Sequence, residues 1–238
     1  DITISQFNRE YVRALQRYNR ILLQRNSLLR NLKDQNGTID ELDFWDQEMA
    51  EIGAVILLER QLIVEKLATG AVKNYSELGF DNKNFSINYL PGLPLKLERE
   101  IEIFDLVGRM HEIIREGRHG DVWRGSSRFG PHRDDVDFLI NGKNASSVAS
   151  RGEQRTAVLA LRLSEVNLST EITGESPVLL LDDILSELDS NHRDKVINMS
   201  YQVDQVFITV PDENIAHEQY FPTANKYEVT DGDVRVLQ

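Results

Sequence analysis

The chain has 238 residues, of which 40% are hydrophobic, enough for one large domain or two small ones. It contains no cysteine, which excludes disulfide bonds and thiolate metal sites. The net charge of -12 argues on average against nucleic acid. The charge is uneven, however: residues 165–238 hold 15 acidic and 4 basic residues, whereas residues 1–164 hold 24 and 23. The nearly neutral N-terminal part therefore stays compatible with a polyanion.

Export and membrane signals are lacking in the sequence. There is no run of 18 apolar residues and no N-terminal stretch that combines basic and apolar residues. We therefore predict a cytoplasmic protein without membrane contact.

The first third predicts an antiparallel helical hairpin. Two segments repeat apolar residues at spacings of three and four, the pattern of paired helices: Tyr11, Leu15, Tyr18, Leu22, Leu29 and Leu32, then Leu42, Trp45, Met49, Ile52, Ile56 and Ile63. Gly37 suits the end of the first helix, and Thr38 with Glu41 has capping-box spacing for the second. Gly70 is expected to kink or end the second helix. Trp45 and Trp123 are expected in the core.

A strand over residues 84–90 and a helix from Leu95 to about Arg118 follow, and glycines mark a domain boundary near residues 117–125. Beyond it, strands alternate with helices. We predict strands at 136–140, 178–181 and 203–210, helices at 156–167 and 191–201, and a hairpin at 227–236. The strand at 178–181 is continuously apolar, which predicts burial on both faces. The predicted fold class is α/β, with an α-helical arm (1–117) and a second domain (118–238).

The strongest local feature is a pair of carboxylates, Asp182 and Asp183, directly after the apolar strand. The carboxyl ends of parallel strands are where α/β sheets bind ligands. One carboxylate there can hold Mg²⁺ and the next can position a water. Four aliphatic residues and two acids also occur often in ordinary strands that precede a helix cap, so this motif alone is weak.

A second feature is the predicted start of the helix near Ser150, within the string Ser-Arg-Gly-Glu-Gln at residues 150–154. A small polar residue and a glycine at a helix N-terminus leave backbone N–H groups available, and the helix dipole there favours phosphate. Taken alone, the segment is better explained as an ordinary capped helix.

The order of these motifs resembles the C-terminal half of an ABC-type ATPase head: signature motif, Walker B, the D-loop string Ser-Glu-Leu-Asp (186–189), and a strand that ends in a polar residue. The resemblance implies Mg²⁺ binding by Asp182 and catalysis by Asp183, where many members carry glutamate. It implies nucleotide contacts for Ser150, Arg151, Gly152, Gln154, Asp189 and Thr209. Transporters of this class place a switch histidine where Thr209 stands, and its role here is therefore open.

Two further strings narrow the family. Residues 130–135 (Gly-Pro-His-Arg-Asp-Asp), followed by residues 149–155 (Ala-Ser-Arg-Gly-Glu-Gln-Arg), closely resemble the bacterial RecF family, which is related to SMC proteins. Residues 18–20, 24–26 and 28–29 resemble its helical arm. The resemblance covers essentially the whole chain. It implies that residues 118–238 are the C-terminal lobe of an ABC-type head.

By this resemblance, the intact protein is an ATP-dependent DNA-binding mediator and a weak DNA-dependent ATPase. Its implied partners are double-stranded DNA, single/double-strand junctions, RecO and RecR, and it would help to load recombinase at single-strand gaps. It would form an ATP-dependent homodimer. Each Ser150 and Gly152 would face a γ-phosphate held by the other subunit.

The phosphate-binding loop that ATP binding requires is absent from this sequence. That loop reads Gly-x4-Gly-Lys-Ser/Thr, whereas Gly142-Lys143 here is followed by Asn144, and Asp137 stands at the first glycine position. In RecF proteins the loop lies N-terminal to the arm. We therefore expect this chain to lack the N-terminal lobe, and to bind ATP and Mg²⁺ weakly or not at all by itself.

Four arginines, Arg9, Arg13, Arg17 and Arg20, follow helical spacing along one face. They are candidates for phosphate-backbone contacts. The alternative is a solvated face paired with acids of the next helix, such as Glu48 or Glu51. His132 and Arg133 are expected to have a structural role near the nucleotide site, with Asp134 and Asp135 paired to Arg133.

Two other functions stay open at this point. Another SMC-like or ABC-type repair ATPase would carry a long coiled coil between its ATPase halves, and the arm here is too short and its heptad interrupted. A scaffold module could instead bind a basic protein through the acidic C-terminal region, and it would have no reason to dimerise with ATP.

Overall fold

The computed structural model describes residues 1–80, 82–98, 100–211 and 224–237. In these residues, α-helices pack with three small sheets, and two of the longest helices run antiparallel. The helices are α1 (Ile2–Phe7), α2 (Arg9–Lys33), α3 (Asp43–Tyr75), α4 (Ile103–Glu116), α5 (Arg118–Arg124), α6 (Ala145–Val148), α7 (Arg151–Thr173) and α8 (Ser190–Ser200). The strands are β1 (Phe85–Leu90), β2 (Asp135–Ile140), β3 (Lys143–Asn144), β4 (Leu179–Asp182), β5 (Val206–Thr209), β6 (Lys226–Thr230) and β7 (Asp233–Leu237).

The predicted helical hairpin is confirmed as α2 and α3. Gly37 adopts φ +107° in the turn, and the N–H of Thr38 donates to Glu41 Oε1 over 2.7 Å, as the capping box requires. Gly70 neither kinks nor ends α3, which continues to Tyr75. A Cβ at Gly70 would lie 2.6 Å from Ser164 Oγ of α7. This glycine therefore serves the close crossing of α3 and α7.

A buried ionic network joins the hairpin to α5. The Arg25 side chain is fully buried; its Nε lies 2.6 Å from Asp46 Oδ1, and its Nη1 lies 2.8 Å from Asp121 Oδ2. Arg118 Nε contacts the second oxygen of Asp46 at 2.6 Å, and Arg128 Nε contacts Asp121 at 3.0 Å. Because each carboxylate is shared between two arginines, the network fixes α2, α3 and α5 relative to one another.

The first sheet links the two predicted domains. β1 pairs antiparallel with β2, with Phe85 opposite Ile140, and β2 continues into β3 through a turn in which Asn141 and Gly142 have positive φ. One strand from each side of the predicted boundary near residues 117–125 belongs to this sheet. The boundary itself stays a prediction.

The helix predicted from Leu95 begins only at Ile103. Leu95, Leu97 and Ile101 are nevertheless partly buried against the core beneath the hairpin. The helical spacing there was misleading because a non-helical segment can also bury apolar side chains at irregular intervals.

The second sheet pairs β4 with β5 in parallel, so that Asp182 lies beside Thr209 at the carboxyl ends. Only one face of β4 is covered in the described part of the chain: Leu179 and Leu181 are buried, whereas Leu180 is 69% exposed. The prediction of burial on both faces was wrong for this chain, since no described element covers the outer face. The predicted C-terminal hairpin is confirmed as β6 and β7, with Asp231 and Gly232 in its turn.

Two apolar clusters form the core. One lies beneath the hairpin around Tyr18, Met49 and Met110; the other joins the end of α3 to α7, α8 and the first two sheets. Trp45 packs against the first cluster, but Trp123 is 75% exposed, and its prediction as a core residue was wrong. No helix within the described ranges is long and apolar enough to span a membrane.

Candidate functional site

The start of α7 is capped as the sequence predicts. Ser150 Oγ accepts from the N–H of Glu153 over 3.3 Å, and Glu153 Oε2 accepts from the N–H of Ser150 over 2.8 Å. Arg151 and Gly152, the first two helical residues, are exposed, and the first N–H groups of a helix have no partner within the helix. A Cβ at Gly152 would meet only Ser150 Oγ, at 4.0 Å. The packing of this chain therefore does not require glycine at this position.

The capping carboxylate has a second partner outside α7. Lys83 Nζ forms an ion pair with Glu153 Oε1. Together, the Lys83 ammonium and the N–H of Ser150 hold the pKa of Glu153 below its ordinary value. Lys83 could not be identified from the sequence, because it lies 70 positions from Glu153 and no sequence motif links the two residues.

Asp182, the last residue of β4, and Asp183, which follows it, are held by the end of β5. The hydroxyl of Thr209 donates to Asp182 Oδ1 over 2.5 Å and accepts from the N–H of Asp183 over 3.0 Å. Asp183 adopts φ +51°, in the left-handed region, and Ser186 Oγ lies 2.5 Å from its Oδ1. Thr209 thus orients both residues, a role that the sequence left open.

The D-loop position is also ordered by a helix start. Asp189 caps α8: its Oδ1 accepts from the N–H of His192 over 3.1 Å, and its Oδ2 lies 2.6 Å from His192 Nδ1. The hydrogen bonds from the backbone N–H and then from the ring of His192 lower the pKa of Asp189 below its ordinary value. The carboxylate of Asp189 therefore serves to fix the loop in this chain.

An open cavity of about 910 Å³ brings some of the predicted residues together. Arg151 and Gln154 share its wall with Asp182 and with the exposed side chains of Val178 and Leu180. Ser150, Gly152, Asp183, Asp189 and Thr209 do not line it. Within the described ranges, no group of three His, Asp or Glu side chains is placed to hold a metal ion.

The predicted arginine stripe on α2 is present as one exposed face. Arg9, Arg13, Arg17 and Arg20 are all exposed. Arg17 Nη2 lies 2.6 Å from Glu48 Oε2, as the alternative explanation expects. In the described part of the chain, Arg9, Arg13 and Arg20 make no ion pair. Among the described residues, the stripe therefore combines one paired arginine with three that have no acidic partner.

The residues of the 130–135 string tie the arm to the first sheet. His132 Nδ1 lies 2.8 Å from Tyr18 Oη and its Nε2 lies 3.1 Å from the carbonyl oxygen of Ser127. Burial lowers the pKa of His132, which favours its neutral form. These contacts agree with the expected structural role, but neither Tyr18 nor Ser127 is among the residues predicted to contact the nucleotide.

Asp134 pairs with Arg60 rather than with Arg133. Its Oδ2 lies 2.5 Å from Arg60 Nη1, and it also accepts from Tyr89 and from the N–H of Gly92. Burial raises the pKa of Asp134, and these hydrogen bonds oppose the increase. The expected pairing of Asp134 with Arg133 was wrong, because Arg60 reaches the carboxylate from α3, 74 residues earlier in the chain. The exposed carboxylate of Asp135 instead accepts from the N–H of Val136 over 2.8 Å.

Named relatives are similar to this chain in sequence. No protein-family model matches the chain. The "DNA replication and repair protein RecF" of Chloroflexus aurantiacus is 37% identical over 239 residues, which are 98% of this chain and 60% of that protein. The protein of the same description from Microcystis aeruginosa is 32% identical over 240 residues, 98% of this chain and 63% of that protein.

Two solved structures have a fold similar to that of this chain. One, described as the recombination mediator protein RecF with ATPrS in the RecFOR pathway, has a TM-score of 0.84 and 32% identity, and the match covers 100% of this chain and 62% of that one. The other, described as RecF with ATP, has a TM-score of 0.82 and 31% identity, and covers 99% and 61%.

The chain belongs to the RecF family. The α/β fold class and the family recognition predicted from the sequence are confirmed. The chain spans about 60% of the length of the RecF proteins that it matches.

Proposed function

We propose that the intact protein is an ATP-dependent DNA-binding mediator of recombination and repair, and that this chain supplies part of its nucleotide site. The observation that carries the proposal is the presence in one chain of an exposed, serine-capped helix start and of two aspartates that Thr209 orients at the ends of parallel strands. Helix N-termini bind phosphate, and carboxylates at strand ends bind Mg²⁺.

The residues present fit ATP and Mg²⁺ in these roles. Ser150, Arg151 and Gly152 offer a hydroxyl and backbone N–H groups, and the open space at Gly152 lets another surface approach the backbone. Asp182 offers one carboxylate oxygen that Thr209 does not occupy. When bound, ATP supplies the phosphoanhydride bond whose hydrolysis provides the driving force. In this proposal Asp182 holds Mg²⁺, and Asp183 positions the attacking water.

The proposed site is shared between two subunits. The helix start with Ser150 and Gly152 would face a γ-phosphate held by the partner, whereas Asp182 and Asp183 would act beside a phosphate-binding loop of their own subunit. The test is sedimentation of the full-length protein with and without Mg-ATP. We expect a monomer that becomes a dimer with ATP; a scaffold that recognises a basic protein would keep one oligomeric state under both conditions.

The 238-residue chain alone is expected to bind Mg-ATP weakly or not at all, because its sequence contains no Gly-x4-Gly-Lys-Ser/Thr loop. Isothermal titration calorimetry on this chain measures the affinity directly. A micromolar dissociation constant would contradict the expectation.

DNA is the proposed macromolecular ligand, with the free arginines of α2 as backbone contacts. Reversing Arg13 and Arg20 to glutamate in the full-length protein should weaken duplex binding and flatten its salt dependence, since each lost phosphate contact lowers the slope of log K against log salt by about 0.9. Fluorescence anisotropy over a salt series measures both effects. Lys66→Glu is the control, because Lys66 is exposed but already paired with Glu171. If the Lys66→Glu control weakens DNA binding as much as the Arg13→Glu/Arg20→Glu variant does, the stripe does not contact DNA.

The matched structures belong to proteins described in the RecFOR pathway, which supports RecO and RecR as partners. Single-strand gaps with their double-strand junctions are the proposed substrate on the strength of the family resemblance. A cytoplasmic location belongs to the same proposal.

A further inference from the structure

The turn that ends α3 lies between the two helix starts of the site. We call Ser76–Phe80 the arm-end turn; it continues α3 in a wider helical turn. Gly79 has φ +113°, and a Cβ there would lie 2.8 Å from Lys195 Nζ and 3.3 Å from His192 Nε2. The left-handed backbone favours glycine at this position, and the Lys195 and His192 side chains of α8 lie close to it. The turn is thus held tightly against the helix that follows the D-loop.

The first connection from the arm-end turn leads to Asp189. Phe80 stacks on Tyr75 of α3, with ring centroids 5.0 Å apart, and on His192 of α8, with centroids 5.1 Å apart. The His192 ring in turn contacts Asp189 at 2.6 Å. One aromatic ring therefore connects the end of the arm helix to the residue that fixes the D-loop.

The second connection leads to Ser150. Lys83, three residues beyond the turn, pairs with Glu153, whose other oxygen accepts from the N–H of Ser150. The Lys83 ammonium also lies 5.9 Å from the centroid of Phe80. Glu153 is buried, and a buried carboxylate is costly without a charged partner. Lys83 is therefore the charged partner that offsets the burial of the capping carboxylate at the start of α7.

We infer that Phe80 and Lys83 are positioning residues that couple the helical arm to both nucleotide-facing loops, Phe80 through His192 to Asp189 and Lys83 through Glu153 to Ser150. Neither residue touches the nucleotide in this inference. A displacement of the end of α3 would shift the two loops together, because both connections start within four residues of each other. The inference rests on the proposed function, since it assigns a purpose to loops whose role is part of that proposal.

The two connections can be separated by hydrogen–deuterium exchange on the 238-residue chain. Lys83→Met should accelerate exchange of the hydrogen-bonded amides of Ser150 and Glu153 about fivefold, the factor that corresponds to the loss of a helix-cap contact, and leave the amides of His192 and Arg193 unchanged. Phe80→Ala should give the opposite pattern. Lys83→Arg keeps the charge and should restore protection. The matched controls are Lys73→Met, which removes only an exposed pair with Glu77 of the arm-end turn, and Val72→Ala.

Coupling itself is measured in the full-length protein. We expect Phe80→Ala and Lys83→Met to reduce the stimulation of ATP hydrolysis by DNA at least fivefold, while KM for ATP changes less than twofold and the controls behave as wild type. Phe80→Leu keeps the apolar volume and is the control for loss of folding. It should leave exchange at the start of α7 as in the wild type. Uniform acceleration of exchange at both loops, or unchanged DNA stimulation in both variants, would overturn the inference. Failure of the wild-type protein to dimerise with ATP would instead overturn the proposed function.

Discussion

Replacing Arg25 with methionine is expected to lower the free energy of unfolding by about 3 kcal/mol, the lower end of the range for breaking a buried ion pair. The guanidinium is fully buried and contacts Asp46, Asp121 and, at 2.8 Å, the hydroxyl of Ser127. Its removal leaves two buried carboxylates with one arginine fewer. Arg118 and Arg128 still contact those carboxylates, which is why we expect a loss near the lower end.

Urea unfolding followed by circular dichroism measures this loss. Arg17→Gln is the control: its pair with Glu48 is half-exposed, and exposed pairs contribute at most about 1 kcal/mol. Arg25→Lys should recover only part of the stability, because one ammonium cannot reproduce the fork that reaches both aspartates. An Arg25→Met variant within about 1 kcal/mol of wild type would show that the network has little net effect on stability.

Asp182→Asn in the full-length protein is expected to lower kcat for ATP hydrolysis about 100-fold or more. Metal ions contribute several kcal/mol of charge stabilisation in such reactions, and each 1.36 kcal/mol corresponds to a factor of about ten. Asparagine keeps the size and the hydrogen bond with Thr209 but loses the charge that Mg²⁺ needs. Thr209→Val should cost about 10-fold, since it removes the group that orients the carboxylate.

A steady-state phosphate-release assay at saturating Mg-ATP measures both variants. Asp204→Asn is a suitable control, because Asp204 is exposed just before β5, at the opposite end of that strand from Thr209. The assignment of Asp182 fails if Asp182→Asn hydrolyses ATP at the rate of the control.

Local features of this molecule were predictable from the sequence because the interacting residues lie close together in the chain. Ser150 and Glu153 are three residues apart, and so are Thr38 and Glu41; both capping boxes formed as expected. The turns at Asn141 and Asp231 depend on dipeptides with positive φ and were also placed correctly. The order of the carboxylates after β4 was readable because a strand and its following loop are contiguous.

Long-range partners were not predictable in the same way. Nothing in the spacing of Asp134 points to Arg60 rather than to the adjacent Arg133, and the choice depends on how α3 packs beside the first sheet. Lys83 and Glu153 are likewise paired only by the tertiary fold. The exposure of Leu180 and Trp123 depends on what covers each surface, which apolar periodicity does not report.

The β4–β5 sheet has a consequence for work with this chain in isolation. It consists of two strands in the described residues, so each strand presents one row of backbone N–H and C=O groups that no neighbouring strand pairs. Its outer surface also carries the exposed side chains of Val178, Leu180 and Phe207. Unpaired edges beside apolar side chains promote strand addition between molecules. We therefore expect concentration-dependent self-association of the purified chain, which light scattering over a dilution series would detect.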